Sequence, residues 1–384
     1  MTPFPRADWQ GLTRYDPERA PVALDLSDNT NLWGTHPAAL ARIRAATTDD
    51  LARYPELYAD ALRETVAEVF DVPPECVTTG AGSDDVLDSA FRAVFAPGAR
   101  MTYAAPTFSM VEPFARMNAL DARAVPWPEA EDDPGRLLEG DPELVYVCRP
   151  NNPTGGFTPV AWLDALLEAR SPDAPALVIV DEAYADFAGE TVLPEAPERR
   201  NLLVARTASK AYGLAGLRCG YAVGSAEVAL AVDRSRGPYK VARLAYEAAA
   251  AALRDEEGWM RGVIDEAIEN RERLSAELAA RGRAPLPSRA NFLLVPAPTG
   301  DAKADALALR AAGVGVRPFR GIPGMGEGLR VTVGPWTLME RFLAALDTTF
   351  GRGDAGATEG DGAFGGEPGR SAPGSARSSG GGSR

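Results

Sequence analysis

Between about residue 75 and residue 225 the chain alternates short, nearly all-apolar runs with longer mixed ones. CVTTG, RMTYAA, ELVYVC, ALVIVDEAY, LLVARTAS and RCGYAVG predict strands, whereas DDVLDSAFRAVF and VAWLDALLEA place their apolar residues at helical spacing. Alternation of this kind predicts an α/β fold with a mostly parallel sheet wrapped by helices. Residues 242 to 282 are rich in Ala, Glu and Arg and predict a helical lever into a second unit. Beyond it ANFLLVP, ALALRAAGVGVRPF and GLRVTVG read as strand, helix, strand, strand, a smaller α/β domain. The expected division is an arm over 1–35, a large domain over 36–245, a small domain over 246–350 and a Gly/Ser-rich tail over 351–384. That tail has too little to bury to offset its ordering entropy, and disorder is expected there.

Composition narrows the chemistry. The 384 residues carry 40 Lys and Arg against 54 Asp and Glu, a formal charge of −14, which argues against nucleic acid as a partner and for small molecules. MTPFPRADWQ lacks the basic and apolar segments of a secretory signal, and no run approaches the roughly 18 apolar residues of a membrane span, so a soluble, cytoplasmic protein is expected. Cys76, Cys148 and Cys219 are far apart and form no Cys-x-x-Cys pair, which fits buried reduced thiols. The single histidine, His36, leaves no donors for a His-rich metal site and little room for a Ser–His triad. It sits in WGTHPAAL, a loop before a helix, where a structural role is expected, and proton transfer falls to lysine, tyrosine or carboxylates.

Chemistry concentrates at strand ends. Lys210 lies between LLVART and the small-residue turn GLAG; burial there disfavours its ammonium and favours a nucleophilic amine able to form a Schiff base, although a Ser–Lys pair beside a loop is also an ordinary surface feature. VIVDEAY ends with Asp181 and Tyr184; the aspartate suits either a helix cap or a partner for a protonated pyridine nitrogen, and the tyrosine could bond a phenolic oxygen. CRPNNPTGG puts Asn152 just after another strand, in a segment that also reads as a plain β-turn. TTGAGSDDVL is a glycine turn entering a helix, so the backbone N–H groups near Ser83 and Asp84 favour a phosphate. Arg218, Thr207 and Ser209 are placed to reach the same phosphate, and Phe108 can stack on a planar ring or fill the core.

In their order and spacing these residues resemble the pyridoxal-phosphate-dependent aminotransferases of fold type I, and within them the histidinol-phosphate aminotransferase branch, over nearly all of residues 10 to 348. The resemblance implies a large domain built on a mostly parallel seven-stranded sheet, flanked by helices, with a smaller α/β domain beside it. It implies pyridoxal 5'-phosphate as cofactor and no metal. Lys210 would form the Schiff base, Asp181 would partner the pyridine nitrogen, and Tyr184 with Asn152 would bond the phenolic oxygen. Phe108 would stack on the ring where this branch often has tyrosine, and Ser83, Asp84, Thr207, Ser209 and Arg218 would form the phosphate cup. RYPE resembles the segment whose tyrosine, here Tyr54, reaches the cofactor of a neighbouring subunit, implying a homodimer with shared sites.

VGVRPFRGIPGMGEGLRVTVG matches the two anion-binding arginines at Arg317 and Arg330, and Tyr15 matches an arm tyrosine that closes the substrate site. Two guanidinium forks suit a phosphate or a carboxylate. The arm departs from the family's Asn-Glu-Asn-Pro-aromatic-Gly in reading Asn29, Thr30, Asn31, Leu32, Trp33, Gly34. Lys240 stands where asparagine is common, and Pro318 where a polar residue is frequent. The expected reaction is amine transfer from L-histidinol phosphate to 2-oxoglutarate in histidine biosynthesis. An aromatic amino acid aminotransferase, or a cofactor-dependent decarboxylase of phosphorylated amino acids, is the alternative.

Overall fold

The structure, a computed structural model, describes residues 21–94, 96–169 and 176–352, together with positions 9, 12 and 14. Strand β1 (Leu24–Asp25) belongs to the arm, and the next seven strands form one sheet: β2 (Val77–Gly80), β3 (Arg100–Ala105), β4 (Asp121–Pro126), β5 (Leu144–Cys148), β6 (Leu177–Asp181), β7 (Leu202–Thr207) and β8 (Gly220–Gly224). Their order is β2-β8-β7-β6-β5-β3-β4, and β8 alone runs antiparallel to its neighbours. The α/β fold with its mostly parallel seven-stranded sheet is as the sequence predicts.

The central strands are apolar on both faces because both faces are covered. Val145, Val147, Val178, Val180, Leu202 and Val204 enter one core, while Leu144, Tyr146, Cys148, Leu177, Ile179 and Leu203 enter the other. The period-two alternation of a strand is thus hidden inside continuous apolar runs. β4 is absent from the sequence reading for the opposite reason. DARAVP lies on the sheet edge, where Val125 is its one buried side chain, so neither a run nor an alternation marks it.

The smaller unit holds β9 (Phe292–Pro296), β10 (Val314–Gly315), β11 (Arg317–Ile322) and β12 (Gly326–Thr332). β11, β12 and β9 form an antiparallel sheet in that order, and β10 pairs in parallel with the arm's β1. Leu24 and Leu26 of the arm are buried in the same core as Leu293, Val331 and Phe342. The stretch read as one lever is two helices, Arg243–Arg254 and Trp259–Ala279. Asp255 adopts left-handed backbone where the first helix ends, and Gly258 does so where the second begins. Ala245, Tyr246, Ala249 and Leu253 of the first helix lie in the core of the large sheet, so the division expected at residue 245 falls inside an element that packs on that sheet.

His36 is structural: it caps the helix Pro37–Arg44, its Nδ1 accepting from the Ala38 amide at 3.2 Å and its Nε2 lying 2.9 Å from Asp255. Cys76, Cys148 and Cys219 are buried free thiols. Among the described residues no helix is long and apolar enough to cross a membrane.

Candidate active site

In a parallel sheet all strands deliver their carboxyl ends to one edge, and here that edge gathers the chemistry. β6 ends on Asp181, β7 ends on Thr207 with Lys210 three residues on, β5 leads to Asn152 and β3 to Phe108. Because β8 runs antiparallel, its beginning lies at this same edge, with Gly220 paired to both Gly80 and Thr207. That reversal brings Arg218 beside the helix Ser83–Val94. Donors for an anion therefore collect at the β2–β8–β7 side, and the amine and carboxylate beside them at β7 and β6.

The anion side is closely built. The Thr207 hydroxyl donates to Ser209 Oγ at 2.9 Å and accepts from the Ser209 amide at 3.1 Å. Arg218 Nη1 donates to Ser209 Oγ at 3.4 Å and Nη2 to Asp84 Oδ2 at 3.1 Å. The Asp84 carboxylate accepts from Arg218 and steadies it, which leaves the backbone N–H groups at the helix start as the donors for an anion. A Cβ on Gly220 would stand 2.4 Å from the Ser83 amide nitrogen and 2.5 Å from the Gly82 carbonyl carbon. Only glycine lets β8 pass beneath the helix start at that distance, and this cradle, with two hydroxyls and a guanidinium, fits a phosphate ester.

Lys210 is half-buried and Asp181 buried, and they lie close enough for the lysine's charge to act on the carboxylate. Burial, followed by the positive charge of Arg330, lowers the Lys210 ammonium to about 8. Its Nζ donates to the Asp28 carbonyl at 3.0 Å and stands 5.6 Å from the centre of the Tyr184 ring. Burial raises the Asp181 carboxyl to about 6, opposed by hydrogen bonds from the Tyr146 hydroxyl at 2.7 Å and the Ala183 amide at 3.1 Å. An amine partly neutral near pH 7 beside a carboxylate that prefers a cationic partner is the electrostatic setting in which an aldehyde and a pyridinium can be held.

The small sheet supplies the opposite wall. Arg330, 7% exposed, donates from Nη1 to Asn152 Oδ1 and from Nη2 to the Ser27 carbonyl at 2.7 Å. With its Oδ1 so engaged, Asn152 keeps its amide N–H groups for another acceptor. Tyr184 Oη accepts from Asn29 Nδ2 at 3.0 Å, and its ring meets Phe292 edge-on at 5.1 Å. Arg317 is half-buried and pairs directly with Arg330 across β11 and β12. Phe108 is partly buried against the core that holds Tyr103 and Phe114.

A family model described as aminotransferase class I and II matches residues 21–346. The chain belongs to this family. It is 36% identical over 347 residues to the histidinol-phosphate aminotransferase of Aromatoleum aromaticum, covering 87% of this chain and 95% of that protein. It is 34% identical over 360 residues to the aromatic amino acid aminotransferase of Streptomyces avermitilis, covering 90% and 97%. Among solved structures it resembles the histidinol-phosphate aminotransferase of Sinorhizobium meliloti in complex with pyridoxal-5'-phosphate, with a TM-score of 0.78, 26% identity and coverage of 91% and 98%.

Two expected residues of this aminotransferase lie apart from that account. Tyr15 falls outside the described residues. Tyr54 is 79% exposed, and its ring stacks on Tyr239 at 4.9 Å. Other contributors are absent from the sequence reading. Asp28 acts through its backbone carbonyl, Asn29 bonds Tyr184 and also the Thr332 hydroxyl, and Asn31 Nδ2 donates to the Ala211 carbonyl at 2.8 Å beside Lys210. The arm's asparagines were visible as the positions that keep the family's pattern around Thr30 and Leu32, but their partners are about 150 to 300 residues distant in sequence. Lys240 ends on Asp85 at 2.9 Å, a contact with the helix that starts at Ser83.

Proposed function

We propose that this aminotransferase uses pyridoxal 5'-phosphate to move an amine from L-histidinol phosphate to 2-oxoglutarate, as a cytoplasmic homodimer with shared sites. The backbone N–H groups at Ser83 and Asp84, the hydroxyls of Thr207 and Ser209, and Arg218 hold the cofactor phosphate. Phe108 covers the ring, Asn152 and Tyr184 bond its phenolic oxygen, Asp181 faces its nitrogen, and Lys210 bonds its aldehyde. Bound, that group supplies an aldehyde for the substrate amine and a ring that withdraws electrons from the adjoining carbon.

The protein's own work is proton handling and orientation. Lys210 Nζ, brought to about 8 by burial and by Arg330, is matched to taking a proton from the donor's α carbon and returning it near neutral pH. Asp181 at about 6 is ionised at neutral pH and supplies the negative charge that keeps a facing ring nitrogen protonated. Arg330 joins the small sheet to Asn152 and the arm to both, so the substrate's anionic end and the cofactor's ring share one frame.

The observation that carries the substrate reading is the pairing of Arg317 with Arg330. Directly opposed residues put their side chains on one face of a sheet, and two guanidinium forks presented together match a phosphate monoester. The 36% identity to the Aromatoleum aromaticum enzyme supports the same donor. An aromatic amino acid donor is the second reading, favoured by the 34% identity to the Streptomyces avermitilis enzyme and by Trp33, which packs between the two cores. Steady-state amine transfer to 2-oxoglutarate from histidinol phosphate, phenylalanine and tyrosine separates the readings. A larger kcat/KM for histidinol phosphate supports the first, and one for phenylalanine or tyrosine supports the second.

A further inference from the structure

Tyr146 is wholly buried on β5, among Leu144, Ile179, Phe91 and Phe114. For filling that space a phenylalanine would serve, so the hydroxyl requires a reason of its own. β5 and β6 pair in parallel with Tyr146 opposite Ile179 and Cys148 opposite Asp181, which makes Tyr146 and Asp181 diagonal neighbours on one face. A tyrosine spans that diagonal and reaches Asp181 Oδ2 at 2.7 Å, while Oδ1 takes the Ala183 amide at 3.1 Å.

We propose that Tyr146 is a positioning residue for Asp181, its hydroxyl fixing the plane of the carboxylate that faces the cofactor's ring nitrogen. The inference rests on that reading of Asp181. With one donor on each oxygen the carboxylate cannot rotate without breaking a buried hydrogen bond, yet an ionised carboxylate retains lone pairs for a further N–H. The same donation opposes the effect of burial on Asp181 and favours its charged form. The other ionisable groups acting on Asp181 are Lys210 beyond β7, Asp84 on the helix Ser83–Val94, Cys148 on β5 and Tyr184 on its own loop. Among the described residues of neighbouring elements, Tyr146 is the one whose side chain donates a hydrogen bond to the Asp181 carboxylate.

Tyr146→Phe in the full chain is expected to weaken pyridoxal phosphate affinity roughly tenfold, the loss of one hydrogen bond to a charged group. In the cofactor-free protein the Asp181 titration, followed by carboxylate ¹³C resonance, is expected to move up by about one pH unit. In an Asp181→Asn background the same change is expected to have no further effect on affinity, which a merely space-filling role would not produce. Wild-type affinity with an unmoved titration in Tyr146→Phe, or equal losses with and without the Asp181 carboxylate, overturns the proposal. Wild-type affinity in Asp181→Ala would instead overturn the role of Asp181 itself.

Discussion

Arg317 and Arg330 are directly paired across β11 and β12, so two guanidinium-bearing side chains rise from the same face of a three-stranded sheet. They are unequal. Arg330 is buried and bonded to Asn152 and to the arm, whereas Arg317 is half-buried at the strand's first residue. Arg317→Ala is therefore expected to leave the fold intact and to cost about 2–3 kcal/mol in kcat/KM for a dianionic phosphorylated donor, with a smaller loss for a monoanionic amino acid. Steady-state kinetics on histidinol phosphate and phenylalanine check this, and equal losses on both donors would remove Arg317 from phosphate recognition.

Lys210 gives a pH signature. Its ammonium, about 8 rather than the ordinary 10.5, loses its proton well below the range of a surface lysine. Capture of pyridoxal phosphate by the cofactor-free protein, trapped with borohydride, is expected to accelerate about tenfold per pH unit up to about 8 and then level off. The linked stability has a definite sign. Because the folded value lies below the unfolded one, the contribution of Lys210 is present above pH 10.5 and is lost as pH falls through 8. Lys210→Met should accordingly stabilise the cofactor-free protein at pH 7 by up to about 3 kcal/mol and lose that advantage by pH 11. Denaturant unfolding at the two pH values tests it, and a variant equally stable to wild type at pH 7 would show that Lys210 is not held under strain of burial.

The chemistry-bearing strand ends were legible because each is marked by local composition, an apolar run stopped by a polar residue. Asp181, Thr207 and Asn152 are of this kind. The seventh strand was not, since an edge strand with one buried residue leaves no periodic trace. Tyr146 was hidden by the opposite excess: inside LVYVC it looks like one more core residue, and its meaning lies in a partner 35 positions away. Gly220 resembles any strand-initiating glycine until the Ser83 amide is seen above it. Contacts set by tertiary approach, in contrast to those set by period or by turn, have no local signal.

Gly220 provides a test of that approach. A methyl group there would meet the backbone of Ser83 and Gly82 and, at 3.0 Å, the Arg206 carbonyl, none of which can rotate aside as a side chain would. β8 is also held on both flanks by β2 and β7, so it cannot shift outward. Gly220→Ala is expected to destabilise the protein by about 2 kcal/mol or more and to tilt the amino end of the helix Ser83–Val94 away from the anion position, weakening binding of pyridoxal phosphate and of inorganic phosphate alike. Calorimetric titration with both ligands checks the second effect. Unchanged affinity for each would mean that the helix start does not hold the phosphate.

Tyr54 poses the last question, because a large aromatic ring at 79% exposure buries little of its surface within one chain. It stacks on Tyr239, itself 42% exposed, and Leu51 and Leu57 nearby in sequence are 73% and 48% exposed. Apolar residues gathered in this way fit a surface covered by a second copy, with Tyr54 completing the partner's site. Such a site makes Lys210→Ala and Tyr54→Ala complementary: a mixed dimer holds one site with both native residues and one with neither. If Tyr54→Ala alone is nearly inactive, mixing the two inactive proteins in equal amounts should restore about a quarter of wild-type activity, since about half the dimers are mixed and each has one good site. Subunit exchange is verified by mass-tagged protomers before the assay. Full exchange without recovery would place Tyr54 and Lys210 in the same protomer's site, or outside a common site altogether, and would remove the argument for sharing.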